Sequence, residues 1–99
     1  MAVVVRVDWP EITAEQYEQA RQLVNWETER PKGAIFHVAS IANGGLRIVD
    51  VWESAEDFYA FGEQRLRPVT TQLGATTEPT VEIEPVLGMM LNAEMLVGA

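Results

Sequence analysis

Ninety-nine residues, 47% hydrophobic and 22% charged, make one small globular domain with room for a single core. A formal charge of -8 argues against a nucleic-acid or anionic-membrane surface, because phosphate binding depends on clustered Lys and Arg. With no cysteine, disulfides, zinc–thiolate centres and a Cys nucleophile are excluded, and a reducing, cytoplasmic setting is expected.

The chain opens on an alternating strand over residues 2–8, with Val3, Val5 and Val7 pointing one way and Val4, Arg6 and Asp8 the other. Arg6 interrupts the apolar run after four residues, which is too early for a signal peptide or a membrane span. Pro10 ends the strand. Thr13-Ala-Glu-Gln16 forms a capping box, with Ile12 and Tyr17 as the hydrophobic staple around it. The helix runs to about Asn25 and is expected to bury Tyr17, Ala20, Leu23 and Val24. Trp9 and Trp26 flank it as structural aromatics.

After a Pro/Gly loop at 29–33, a second strand spans about 34–41, and Asn43-Gly44-Gly45 turns a hairpin. The third strand, about 46–52, sets Leu46, Ile48, Asp50 and Trp52 on one face and Arg47, Val49, Val51 and Glu53 on the other. Ser54 caps a helix over about 55–66, with Asp57, Phe58 and Phe61 following. Pro68 is expected to kink or interrupt it before it resumes to Leu73 and closes at Gly74. A fourth strand over 81–87 carries Pro85, which marks an edge, and Glu82 and Glu84, read as solvated there. The domain is taken as 1–88; residues 89–99, with Met89, Met90, Leu91, Met95, Leu96 and Val97, form an apolar tail with no assigned role.

This βαββαβ order predicts an α+β, ferredoxin-like subunit: a four-stranded antiparallel sheet with the first and third strands central and both helices on one face. The opposite face, assigned Val4, Ile35, Ile48, Trp52 and Val86, is too apolar to leave in water, so two sheets are expected to pack face to face in a homodimer.

Several segments carry a family likeness: Phe36-His37-Val38-Ala39, Arg47-Ile48-Val49-Asp50-Val51-Trp52-Glu53-Ser54, Phe58, Phe61 and Arg65-Leu66-Arg67-Pro68. With the element order, they make the chain resemble the dimeric α+β barrel superfamily, and within it the small proteins grouped with antibiotic biosynthesis monooxygenases. The likeness spans residues 2–88. It implies a dimeric barrel, a small aromatic or polyketide-like substrate, and an oxygenation in which a substrate carbanion meets dioxygen without metal or flavin. The haem-degrading branch expects an Asn on strand one, then a Trp and a His along the second helix. Here Arg6 or Asp8, Phe61 and Pro68 stand near those places, so that activity is not implied.

The candidate chemistry lies in three polar residues assigned to one face: Arg6, His37 and Asp50. Asp50, on the strand between the other two, would orient His37; His37 would take a proton from an acidic C–H or phenol; Arg6 would stabilise the resulting anion. Trp52, Ile48, Ile35 and Phe61 are the candidate substrate-binding walls. No metal-ligand cluster or phosphate-binding glycine loop is present. The competing assignment is a buried Arg6–Asp50 ion pair with His37 as a hydrogen-bonded neighbour, in a non-catalytic homodimer that binds a small ligand or serves as an accessory.

Overall fold

The computed structural model describes residues 1–92. Its elements are β1 (Val3–Pro10), α1 (Ala14–Val24), β2 (Ala34–Ala42), β3 (Gly45–Trp52), α2 (Ala55–Phe61), α3 (Arg67–Gln72) and β4 (Thr80–Pro85). All strand pairs are antiparallel, in the order β2-β3-β1-β4, so β1 and β3 are central and β4 is an edge, as the βαββαβ pattern predicts. The Val86 amide extends the β4 pairing by bonding to the Ala2 carbonyl at 3.0 Å.

Local chemistry sets the element ends. Thr13 accepts from the Gln16 amide while the Gln16 side chain returns to the Thr13 amide, a complete capping box, and Asn25 closes α1 in the left-handed region at φ 59°. Asn43 and Gly44, at φ 52° and 75°, make the tight turn between β2 and β3. Ser54 accepts from the Asp57 amide at the start of α2. Gly33, at φ +83°, lies so close to α2 that a Cβ there would collide with the Asp57 carboxylate. A bulge between Ala34 and Phe36 shifts β2 by one residue against β3.

The second helical segment departs from the expected outline. The interruption comes ahead of Pro68, as a π turn over Gly62–Leu66 in which the Arg67 amide reaches back five residues to the Gly62 carbonyl. Pro68 has no N–H to give, and its ring crowds the carbonyl four residues earlier, so the preceding turn widens. Leu23, expected in the core, is 50% exposed, while its neighbour Val24 is buried.

The sheet faces also require correction. Directly paired residues in an antiparallel ladder share a face. The register pairs Val3 with Trp52, Val5 with Asp50, Val7 with Ile48 and Trp9 with Leu46. Trp52 and Ile48 therefore lie under the helices with Val5 and Val7, packed against Phe58, Phe61 and Ile83, and are not on the outer face. That outer face instead carries Val4, Arg6, Val49 and Val51, with Phe36 and Val38 of β2. Met89, Met90 and Leu91 stand beside Phe36, Val49 and Val51 on that side. The remaining tail positions named above, Met95, Leu96 and Val97, lie outside the described residues.

Candidate functional site

The space between the sheet and the helices is only partly filled. Val5, Val7 and Trp52 form the buried cluster, and beside it runs a cleft of about 680 Å³. Its floor is the helix-side face of the sheet: Val7, Trp9, Leu46, Ile48, Asp50 and Trp52. Tyr17 and Ala20 of α1, Phe58, Phe61 and Leu66 from the second helical segment, and Trp26 and Ile35 also line it. A cleft of this size, mostly apolar with a few polar groups, has the dimensions of a small-molecule site.

His37 and Asp50 are directly paired across β2 and β3. The imidazole Nδ1 lies 2.7 Å from Asp50 Oδ1, and the Trp52 indole N–H donates to Oδ2 at 3.1 Å. Both carboxylate oxygens thus accept from N–H groups, although Asp50 is only 6% exposed. With Nδ1–H directed at the carboxylate, Nε2 is the acceptor nitrogen, and the Tyr17 hydroxyl donates to it at 2.7 Å. The result is a continuous chain of hydrogen bonds, Tyr17–His37–Asp50–Trp52, crossing from helix to sheet along the cleft wall. Trp26 packs on its outer end, with ring centroids 5.2 Å from His37 and 5.7 Å from Tyr17.

Burial pushes the Tyr17 phenol above its ordinary value, Arg21 opposes this, and Glu18, Asp50 and Glu27 add to it. Arg21 is itself engaged by Glu27, whose carboxyl it holds below the usual range.

Of the residues singled out in the sequence, His37, Asp50, Trp52, Ile48, Ile35 and Phe61 all line this cleft. Arg6 does not. It pairs with Val49 and Glu82 across the sheet, so its side chain projects from the outer face, where it forms an exposed ion pair with Glu84. The supposed buried Arg6–Asp50 pair is likewise absent: a one-residue offset between β1 and β3 is enough to send Arg6 to the other side. Tyr17 and Trp26 are the site residues that sequence reasoning missed. The available signal was the staple position of Tyr17, which fixes that side chain at the first turn of α1 but not what lies under it.

Among the described residues no cluster of three or more His, Asp or Glu side chains is placed to hold a metal ion, and no helix is long and apolar enough to cross a membrane.

No protein-family model matches the chain, and no curated protein sequence does so. Solved structures match its fold over nearly the whole length. A variant of SnoaB, a cofactor-independent oxygenase from Streptomyces nogalater, superposes with a TM-score of 0.66 at 14% identity, covering 92% of this chain and 98% of that one. Rv0793 from Mycobacterium tuberculosis gives 0.62 at 15% identity, over 90% and 98% of the two chains. A candidate antibiotic biosynthesis monooxygenase from Nitrosomonas europaea gives 0.63 at 10% identity, over 86% and 90%. At these identities the likeness is one of architecture. The chain has a ferredoxin-like α+β fold, which it shares with SnoaB, Rv0793 and the candidate antibiotic biosynthesis monooxygenase.

Proposed function

We propose that the cleft binds a small aromatic or polyketide-like molecule, and that His37, oriented by Asp50, takes a proton from it in the opening step of a cofactor-independent oxygenation. The observation that carries this reading is an oriented imidazole on the wall of an aromatic-lined cleft of about 680 Å³. Asp50 holds the tautomer that leaves Nε2 basic and compensates the imidazolium once it forms. Trp52, Ile48, Ile35 and Phe61 supply flat apolar walls. An activated CH₂ group that loses a proton here passes its electrons to dioxygen. The carbon ends as a carbonyl, one oxygen atom stays in the product and the other leaves as water. With Arg6 on the far face, the developing anion is offset by the imidazolium beside it, and Arg30 is the one Arg or Lys among the described residues that lines the cleft. The shared fold with SnoaB supports the reading at the level of architecture.

The competing reading is a non-catalytic ligand-binding protein. It is favoured by the self-contained hydrogen bonding of the site: among the described residues no buried side-chain N or O atom lacks a partner. Dioxygen uptake and product mass, followed for wild type and His37→Ala with a panel of anthrones and hydroxyquinols, separate the two. Turnover by wild type that falls by about a hundredfold or more in His37→Ala supports proton abstraction by His37. Equal, background-level turnover in both removes the oxygenase reading.

We further propose a second copy of the chain as partner, seated on the outer sheet face around Val4, Phe36, Val38, Val49 and Val51.

A further inference from the structure

We infer that Tyr17 is the group that meets the substrate's acidic proton, passing its own hydroxyl proton to His37 in the same step. This rests on the reading of the cleft as a proton-abstraction site and changes which atom the substrate touches.

The geometry leaves His37 no free nitrogen. Nδ1 is taken by Asp50 and Nε2 by the Tyr17 hydroxyl, both at 2.7 Å. An acid entering the cleft therefore reaches the imidazole only by displacing Tyr17. Tyr17, in contrast, lines the cleft, and its phenol oxygen keeps acceptor capacity after donating to Nε2. Tyr17 is also held in place from several sides. Its amide bonds to the Thr13 carbonyl at 3.0 Å as α1 begins, and its ring lies nearly parallel to that of His37 and against Trp26. A side chain packed in this way is pre-set for transfer and does not have to be recruited.

The step balances without a co-reactant. The substrate C–H or O–H bond breaks as its proton bonds to the Tyr17 oxygen; the Tyr17 O–H bond breaks as that proton bonds to Nε2 of His37. Tyr17 ends as it began, the substrate is an anion, and the positive charge rests on His37 beside Asp50. Burial holds Tyr17 protonated in the resting site, consistent with a relay member and not a standing phenolate.

The test uses 2-naphthol, whose absorption shifts on ionisation, as a planar acidic probe for the intact protein. At a fixed pH below its half-ionisation in buffer, the bound probe is expected to be ionised about tenfold more than the free probe, a shift of about one pKa unit. Tyr17→Phe and His37→Gln are each expected to return that fraction to near its buffer value, while Tyr17→Phe binds neutral probe within about threefold of wild type, since it keeps the ring. If Tyr17→Phe ionises the probe as well as wild type does, His37 meets the substrate directly and the inference is overturned. It is overturned equally if wild type leaves the probe unbound or at its buffer ionisation. Probe ionisation in wild type, lost in Tyr17→Phe, together with no dioxygen uptake on any anthrone, supports the relay and rejects the oxygenase reading, so the two failures are distinguishable.

Discussion

Trp52 donates its indole N–H to the carboxylate of Asp50, two residues earlier on the same face of β3, at 3.1 Å. Both side chains are buried, and this bond with the one from His37 is what allows a carboxylate to sit among apolar neighbours. Asparagine at position 50 offers one acceptor oxygen to two N–H donors. Its NH₂ group then confronts either the indole or the imidazole. Asp50→Asn is expected to lower stability by about 1–3 kcal/mol, read as a reduced denaturant midpoint at unchanged slope. The ¹⁵N shifts of His37 should report a change of tautomer in the same variant. Wild-type stability with an unchanged tautomer would show that the site does not depend on the charge.

Val5 is wholly buried, with Asp50 and Ile83 as its cross-strand neighbours. Two carbons removed at about 0.8 kcal/mol each, plus a small cavity term, give a loss of about 2 kcal/mol for Val5→Ala. Val38, 49% exposed on the outer face, is the control. In the isolated subunit Val38→Ala should stay within about 0.5 kcal/mol of wild type. Similar losses at the two positions would mean that the core does not lie on the helix side of β1.

These two positions also show what the sequence made legible. Alternation placed Val5 with Val3 and Val7, and Asp50 with Ile48 and Trp52, and the turn and cap residues bounded nearly every element. Alternation within a strand does not say which set of one strand faces which set of the next. That depends on register, and the assumed offset matched Arg6 with Asp50 where the structure matches Val5. Ile48, Trp52 and Ile35 were misassigned to the outer face as a consequence, while Val4 does lie there. The pairing of His37 with Asp50 survived because the Asn43-Gly44 turn fixes the β2–β3 register locally. Tyr17 was beyond reach for a different reason: its partner is twenty residues away, and its contact depends on how α1 settles across the sheet.

The raised Tyr17 titration gives a pH signature. The folded state favours the neutral phenol more strongly than the unfolded chain does. Its contribution to stability is complete below the ordinary tyrosine range and is lost as pH rises through about 10 toward the folded value. Arg21, Glu18, Glu27 and Asp50 are the charged groups acting on it, and Tyr17→Phe leaves all four in place. The difference in unfolding free energy between wild type and Tyr17→Phe should be constant near neutrality and should narrow, or reverse, in alkali. A difference that stays flat through that range would show that Tyr17 ionises equally well folded and unfolded.

The proposed dimer rests on the outer face. Val38 and Val49 are paired across β2 and β3, with Phe36 and Val51 next in the ladder, forming an apolar centre. The exposed ion pairs Arg6–Glu84 and Arg47–Asp8 lie on the same face around it. Apolar centre with charged rim is the anatomy of a protein–protein contact, and two such twisted sheets can pack with their strands near-aligned. Light scattering at micromolar concentration is expected to give twice the chain mass. Val38→Glu sets an unpaired carboxylate into the apolar patch on the β2 edge of each facing sheet, so it should shift the mass to that of one chain. The cleft lies on the opposite side of the sheet, so the variant should still bind 2-naphthol. A single-chain mass for wild type would refute the packed-sheet dimer. A dimer unaffected by Val38→Glu would move the interface away from β2.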